Sequence, residues 1–211
     1  MPPPPQMGST SSRKSSGPKV NVDSDTVKRI GKIAGGIVGF AVAFLVSFLV
    51  RNGFQGGSGL GNLGWQPHHS AMGRFRVEFP GRPQSKSQLV PSEVGVMTLW
   101  LEGVELRRGT AFIVMYSDVP AQVPLDAQTI LDEGVAGLGT QFPTRNVSRI
   151  EHDGHPGREV YYTANVDGRS MYARAWVMLA GRRLYQVHYI GKEGTEQHAD
   201  VQRFLNSFHP D

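Results

Sequence analysis

The stretch that decides the fold runs from Glu159 to Ile190: EVYYTANVDGRSMYARAWVMLAGRRLYQVHYI. Two turn signals divide it. Asp167-Gly168 suits a two-residue hairpin turn that needs positive φ, and Gly181-Arg182 makes a second tight turn. The segments between them, 159–166, 170–179 and 184–190, are rich in β-branched and aromatic residues and read as three antiparallel strands. Two-residue turns fix the register. Tyr161 then faces Arg174, Glu159 faces Trp176, and Arg174 faces Tyr189 on the third strand. One face of the meander therefore carries Glu159, Tyr161, Tyr172, Arg174, Trp176, Val187 and Tyr189. The other carries Met171, Ala173, Ala175, Val177 and Leu179 and is more uniformly apolar.

Outward from this meander the chain keeps the same style. Phe75, Val77 and Phe79 alternate with Arg76 and Glu78 in a half-buried strand ended by Pro80-Gly81. Weaker strand signals cover 85–90 and 94–106, a strong one covers 110–118, and another covers 146–151. Asp126 is placed to cap a helix reaching about Gln141, with Ile130, Leu131, Val135 and Leu138 as its buried stripe. A last helix is expected from about Thr195 to Ser207, burying Val201, Phe204 and Leu205. Four strands, a helix, four strands and a helix predict an α+β domain, a mainly antiparallel sheet flanked by helices, over residues 71–211.

The N-terminal third is of another kind. Ile33–Val50, IAGGIVGFAVAFLVSFLV, has no charge, and only Ser47 interrupts its apolar run. As a helix it would extend about 27 Å, the depth of a bilayer hydrocarbon core. A transmembrane signal anchor over 30–51 is expected, preceded by a disordered basic Pro/Ser-rich tail, 1–29, and followed by a Gly-rich linker, 52–70. Residues 1–32 hold six basic and two acidic side chains, whereas the remainder is balanced. This asymmetry puts the tail in the cytoplasm and the domain outside it, and it argues against a nucleic-acid-binding domain. Gly31, Gly35, Gly39, Ala43 and Ser47 recur every fourth position, a spacing that would let a second helix approach closely, as in a homodimer or with a membrane-protein partner.

The segments FRVEFPGRP (75–83), YSDVP (116–120), GHPGREV (154–160), RRLYQV (182–187) and FLNSF (204–208) resemble those of the Mog/PsbP-like α/β/α sandwich over most of residues 74–209. They mark turns and core edges rather than chemistry. That family includes photosystem extrinsic proteins, a Ran-binding import factor and many bacterial extracytoplasmic domains. The resemblance implies a non-enzymatic binding or assembly domain.

Signs of chemistry are sparse. There is no cysteine, which excludes disulfides and thiolate metal sites. No phosphate loop, dinucleotide fingerprint, nucleophile elbow or zincin motif occurs, so no cofactor and no catalytic residue is expected. His152 and His155 lie in an H-D-G-H turn, but no third ligand is evident, so no metal site is expected either. His68 and His69 are adjacent and would point to opposite faces of a strand. His188 reads as a satisfied core histidine. The candidate ligand or partner patch is Arg174 with Glu159, Tyr161, Tyr172, Trp176 and Tyr189. Arg174 could bind an anionic group between two tyrosines, or pair with Glu159 beneath a helix. The functional expectation is a single-pass protein whose extracytoplasmic domain binds or scaffolds a partner. The alternatives are an extracytoplasmic enzyme and an assembly subunit dimerised through the span.

Overall fold

The computed structural model describes residue 60 and residues 63–211, except 93, 94, 107, 108 and 167. The expected tail, the span, its small-residue face (Gly31, Gly35, Gly39, Ala43, Ser47) and most of the linker lie outside the described residues. Among the described residues no helix is long and apolar enough to cross a membrane.

Seven strands form the main sheet: β3 (Gln84–Ser92), β4 (Gly95–Glu105), β5 (Ala111–Asp118), β6 (Thr144–His152), β7 (His155–Val166), β8 (Arg169–Ala180) and β9 (Arg183–Gly191). Their order is β3-β4-β5-β9-β8-β7-β6, with every neighbouring pair antiparallel. Two meanders thus meet where β5 pairs with β9. The crossover between them is helix α1 (Ala127–Gln141), capped by the Asp126 side chain, which accepts from the Gln128 backbone N–H. β9 is central and buried at every position. Its neighbour β5 is buried except at its end, while edge strand β6 is largely exposed.

The register of the meander is the one its turns dictate: Tyr161 opposite Arg174, Glu159 opposite Trp176, and Arg174 opposite Tyr189. The two faces carry separate cores. On one, Ile130, Leu131, Val135 and Leu138 of α1 pack with Ile113, Ala173, Ala175, Val177 and Leu179. On the other, Phe112, Tyr116, Trp176 and Tyr189 meet Phe204 and Leu205 of helix α2 (Ala199–Asn206) together with Phe75, Val77 and Phe79.

Those three last residues belong to a second, three-stranded sheet that the sequence pattern does not show. It consists of β1 (Gln66–Ser70), β2 (Phe75–Phe79) and β10 (His209–Pro210), in the order β1-β2-β10. The expected linker 52–70 therefore ends earlier: Gln66–Ser70 is a strand paired antiparallel to β2. Its Pro67 is tolerated because β1 is an edge. The last helix is also shorter than expected. It starts at Ala199, capped by the His198 side chain, because Thr195 turns the chain back onto the Lys192 carbonyl.

The α1 face carries two buried polar groups besides its apolar side chains: Arg158, which donates to Asp132 and Gln128 of α1 at 2.7 Å each, and a chain centred on His188. His188 Nδ1 lies 2.9 Å from the Tyr162 hydroxyl, and its Nε2 lies 3.2 Å from Gln186 Oε1. The amide oxygen can only accept, so Nε2 carries the proton and Tyr162 donates to Nδ1. Small Ala173 and Ala175 on the intervening strand let the tyrosine reach across. Burial pushes the imidazole down to about 3. His188 is the satisfied core histidine its strand position suggested.

Candidate functional site

The sequence-derived patch is assembled on the α2 face, and it is covered. Glu159 Oε1 accepts from Arg174 Nε at 2.8 Å, from Arg174 Nη2 at 2.7 Å and from Trp176 Nε1 at 3.0 Å. Arg174 Nη1 donates to Gln202 Oε1 on α2 at 3.0 Å and points at the Glu196 carbonyl. The guanidinium carbon sits 5.6 Å from the Tyr161 ring centre. Tyr189 is buried and donates to Thr195 Oγ1, while Tyr172 lies under the Arg145 guanidinium. Arg145 in turn donates to Glu196 Oε1 at 2.6 Å. A loop, residues 192–198, and α2 thus lie over the patch, and Arg174 is paired with Glu159 beneath a helix. An incoming carboxylate would have to displace Glu159 from a side chain that is only 8% exposed.

Around the small sheet the sequence offered less and the structure shows more. His68 and His69 do point opposite ways. His68 Nε2 reaches inward to Glu102 Oε2 at 2.6 Å, and His69 reaches outward to Asp211 at 3.0 Å. Glu102 is buried and also accepts from the hydroxyls of Ser70 and Tyr116. Ser70 Oγ donates a hydrogen bond to that carboxylate and accepts one from the Gly73 N–H. The β1–β2 turn is further held by β9. Arg183 donates to the Met72 carbonyl and, through two nitrogens, to Asp118, and the Tyr185 hydroxyl lies within reach of the Gly73 and Arg74 carbonyls. The Arg183 guanidinium holds the Asp118 carboxyl below the usual range.

The outer face of the small sheet forms an open depression of about 350 Å³ lined by Pro67, His69, Arg76, Glu78, Ser207 and His209, among others. Glu78 is bound by Arg203 at 2.6 Å, and this lowers its pKa. The same guanidinium lies 4.9 Å over the ring of Trp65, whose indole N–H donates to Asp200. Trp65 packs edge-on to Phe112, and Leu60 and Leu63 join the same core. The chain leading into the domain is therefore docked beside α2, next to the depression.

At the start of β10, beside the depression, His209 Nδ1 lies 2.6 Å from Asp153 Oδ2, and His152 Nε2 lies 2.6 Å from the Phe208 carbonyl oxygen. Sequence reading placed His152 and Asp153 together in the H-D-G-H turn. It could not place His209, which lies 56 residues from Asp153, because a two-residue strand has no periodicity to detect.

Comparison with known proteins gives no match to a family model and no match to a curated protein. Among solved structures the chain is similar to cyanobacterial PsbP (CyanoP) from Synechocystis sp. PCC 6803, with 15% identity over 74% of this chain and 98% of that one and a TM-score of 0.49. It is similar to a protein of Bacteroides thetaiotaomicron at 10% identity, covering 69% of this chain and 48% of that one, with a TM-score of 0.44. It is also similar to a Pseudomonas aeruginosa protein of unknown function at 11% identity, covering 65% of this chain and 90% of that one, with a TM-score of 0.38. The first bears the PsbP name that the sequence motifs suggested.

Proposed function

We propose that the protein is a single-pass membrane protein whose extracytoplasmic α+β domain is a non-enzymatic binding or scaffolding module, and that the depression on the small sheet is the surface it presents. The observation that carries this reading is the docking of Trp65 beside that depression, through Arg203 and Glu78. Residues 51–59 separate the apolar stretch from Leu60. At no more than about 3.5 Å per residue they reach at most about 35 Å. A helix ending at Val50 would hold this corner of the domain close to the bilayer, facing whatever else is embedded there. The depression is open and rimmed by both signs of charge, which suits a protein surface better than a small apolar ligand.

The anchoring part is tested by alkaline extraction of native membranes followed by protease treatment of sealed cells. The folded domain should stay with the membrane pellet and be digested from outside. Release into the supernatant would overturn the reading. A second reading, assembly through the span, rests on Gly31, Gly35, Gly39, Ala43 and Ser47. It requires that Gly35→Leu together with Gly39→Leu reduce detergent-resistant dimers, and an unchanged dimer fraction would dismiss it.

A further inference from the structure

We propose that His152, Asp153 and His209 form a site for one divalent cation of the zinc class, which would clamp the β6–β7 turn to the C-terminal strand. One donor atom from each residue lies within 4.8 Å of the other two. Around a tetrahedral zinc with bonds of about 2.0–2.2 Å, donor atoms lie about 3.3–3.6 Å apart. The observed separations bracket that value: His209 Nδ1 to Asp153 Oδ2 is 2.6 Å and His152 Nε2 to Asp153 Oδ2 is 3.8 Å. Small side-chain rotations would bring the three onto one ion.

The donor set selects the ion. Two imidazoles and one carboxylate suit Zn²⁺, Ni²⁺ or Cu²⁺. Mg²⁺ and Ca²⁺ prefer oxygen ligands and would gain little here. The frame is stiff. Asp153 and Gly154 both have positive φ, 52° and 75°, so the turn is a tight one, and His152 pairs directly with His155 across it. The His152 ring packs against Trp176 with centroids 5.0 Å apart. The His209 ring lies nearly parallel to that of His152, centroids 5.4 Å apart, and its backbone is paired with Arg76 of β2.

Access is also adequate. His209 and Asp153 are each 41% exposed at the side chain, so an ion can enter from solvent and the fourth position faces water. Each candidate ligating nitrogen engages an oxygen: His152 Nε2 the Phe208 carbonyl, and His209 Nδ1 the Asp153 carboxylate. Binding requires each ring to carry its proton on the other nitrogen. No proton need leave the protein, since a neutral imidazole holds one in either tautomer.

The test is calorimetric titration of the chelator-treated full-length protein in detergent micelles with ZnCl₂, beside the same titration with MgCl₂. The wild type should take up one equivalent of Zn²⁺ saturably, show no Mg²⁺ binding, and melt at a higher temperature with Zn²⁺ present. Asp153→Asn keeps a residue that tolerates positive φ, yet should weaken Zn²⁺ binding about tenfold or more and abolish the melting shift. His209→Asn should do the same. If His209→Asn does not fold, the Asp153→Asn titration decides alone. Absence of saturable Zn²⁺ uptake by the wild type would overturn the proposal, as would Zn²⁺ affinity unchanged in Asp153→Asn.

Discussion

The two faces of the seven-stranded sheet are built from alternate residues of the same strands, yet they are covered in different ways. One face meets a single 15-residue helix, and side chains such as Leu131, Leu138, Ala173 and Val177 close it. The other meets a short helix and a small sheet made from two separated stretches of chain. It is aromatic, with Phe75, Phe112, Tyr116, Tyr185 and Phe208 in edge and tilted contacts. Polar bonds pin it across long sequence distances, among them Arg183 to Met72, Trp65 to Asp200 and Glu78 to Arg203. The first face is covered chiefly by apolar periodicity, with one polar anchor from buried Arg158 to Asp132 and Gln128 of α1. The second needs specific partners, and the surface groups left over from that pinning are where a site can arise.

This contrast can be broken or sharpened by substitution. The largest effect is expected on the aromatic face. Phe208→Ala should cost about 3–5 kcal/mol in urea unfolding, because its ring is fully buried against Phe75 and Tyr185. A cost below about 1 kcal/mol would show the small sheet to be an appendage rather than part of the core. On the other face Leu131→Ala should cost about 2–5 kcal/mol, and a two-step transition in either variant would mean that the faces unfold separately.

Arg174→Ala leaves Glu159 and the Trp176 N–H with a broken network and should cost about 3 kcal/mol. Intact stability together with the loss of a bound partner would restore Arg174 as a recognition residue. Acid should act next. Unfolding releases His188 to an ordinary pKa, so it binds a proton below about pH 6.5 that the folded state refuses until about 3. Stability contributed by the neutral ring is present above pH 6.5 and is lost as pH falls through that window, about 1.4 kcal/mol per unit, or about 2–3 kcal/mol by pH 4.5. Urea midpoints of the wild type and His188→Gln against pH should converge on acidification. The smallest effect belongs to the rim. Asp211→Asn weakens two exposed pairs, with Arg76 and His69, and should change stability by less than about 0.5 kcal/mol.

Much of the fold was legible because its signals are local. Asp126 before an amphipathic run gives α1, and two tight turns give the register that puts Tyr161, Arg174 and Tyr189 in line. That register assembled the Arg174 patch correctly, and even the helix above it was among the readings. The depression and the His152–Asp153–His209 group were not legible. QPHHS (66–70) contains a proline and follows six glycines, so it reads as linker, and its strand form depends on pairing with β2. HP (209–210) is too short to show any period. Neither segment has strand character without its partner, and the partner is set by tertiary packing.

The most direct test of the proposed role is site-specific photocrosslinking in native membranes, with the probe at Arg76 in the depression and a control probe at Glu133 on α1. The proposed role predicts one reproducible crosslinked species from position 76 and none from position 133. Equal labelling from both positions, or none from position 76, would contradict it.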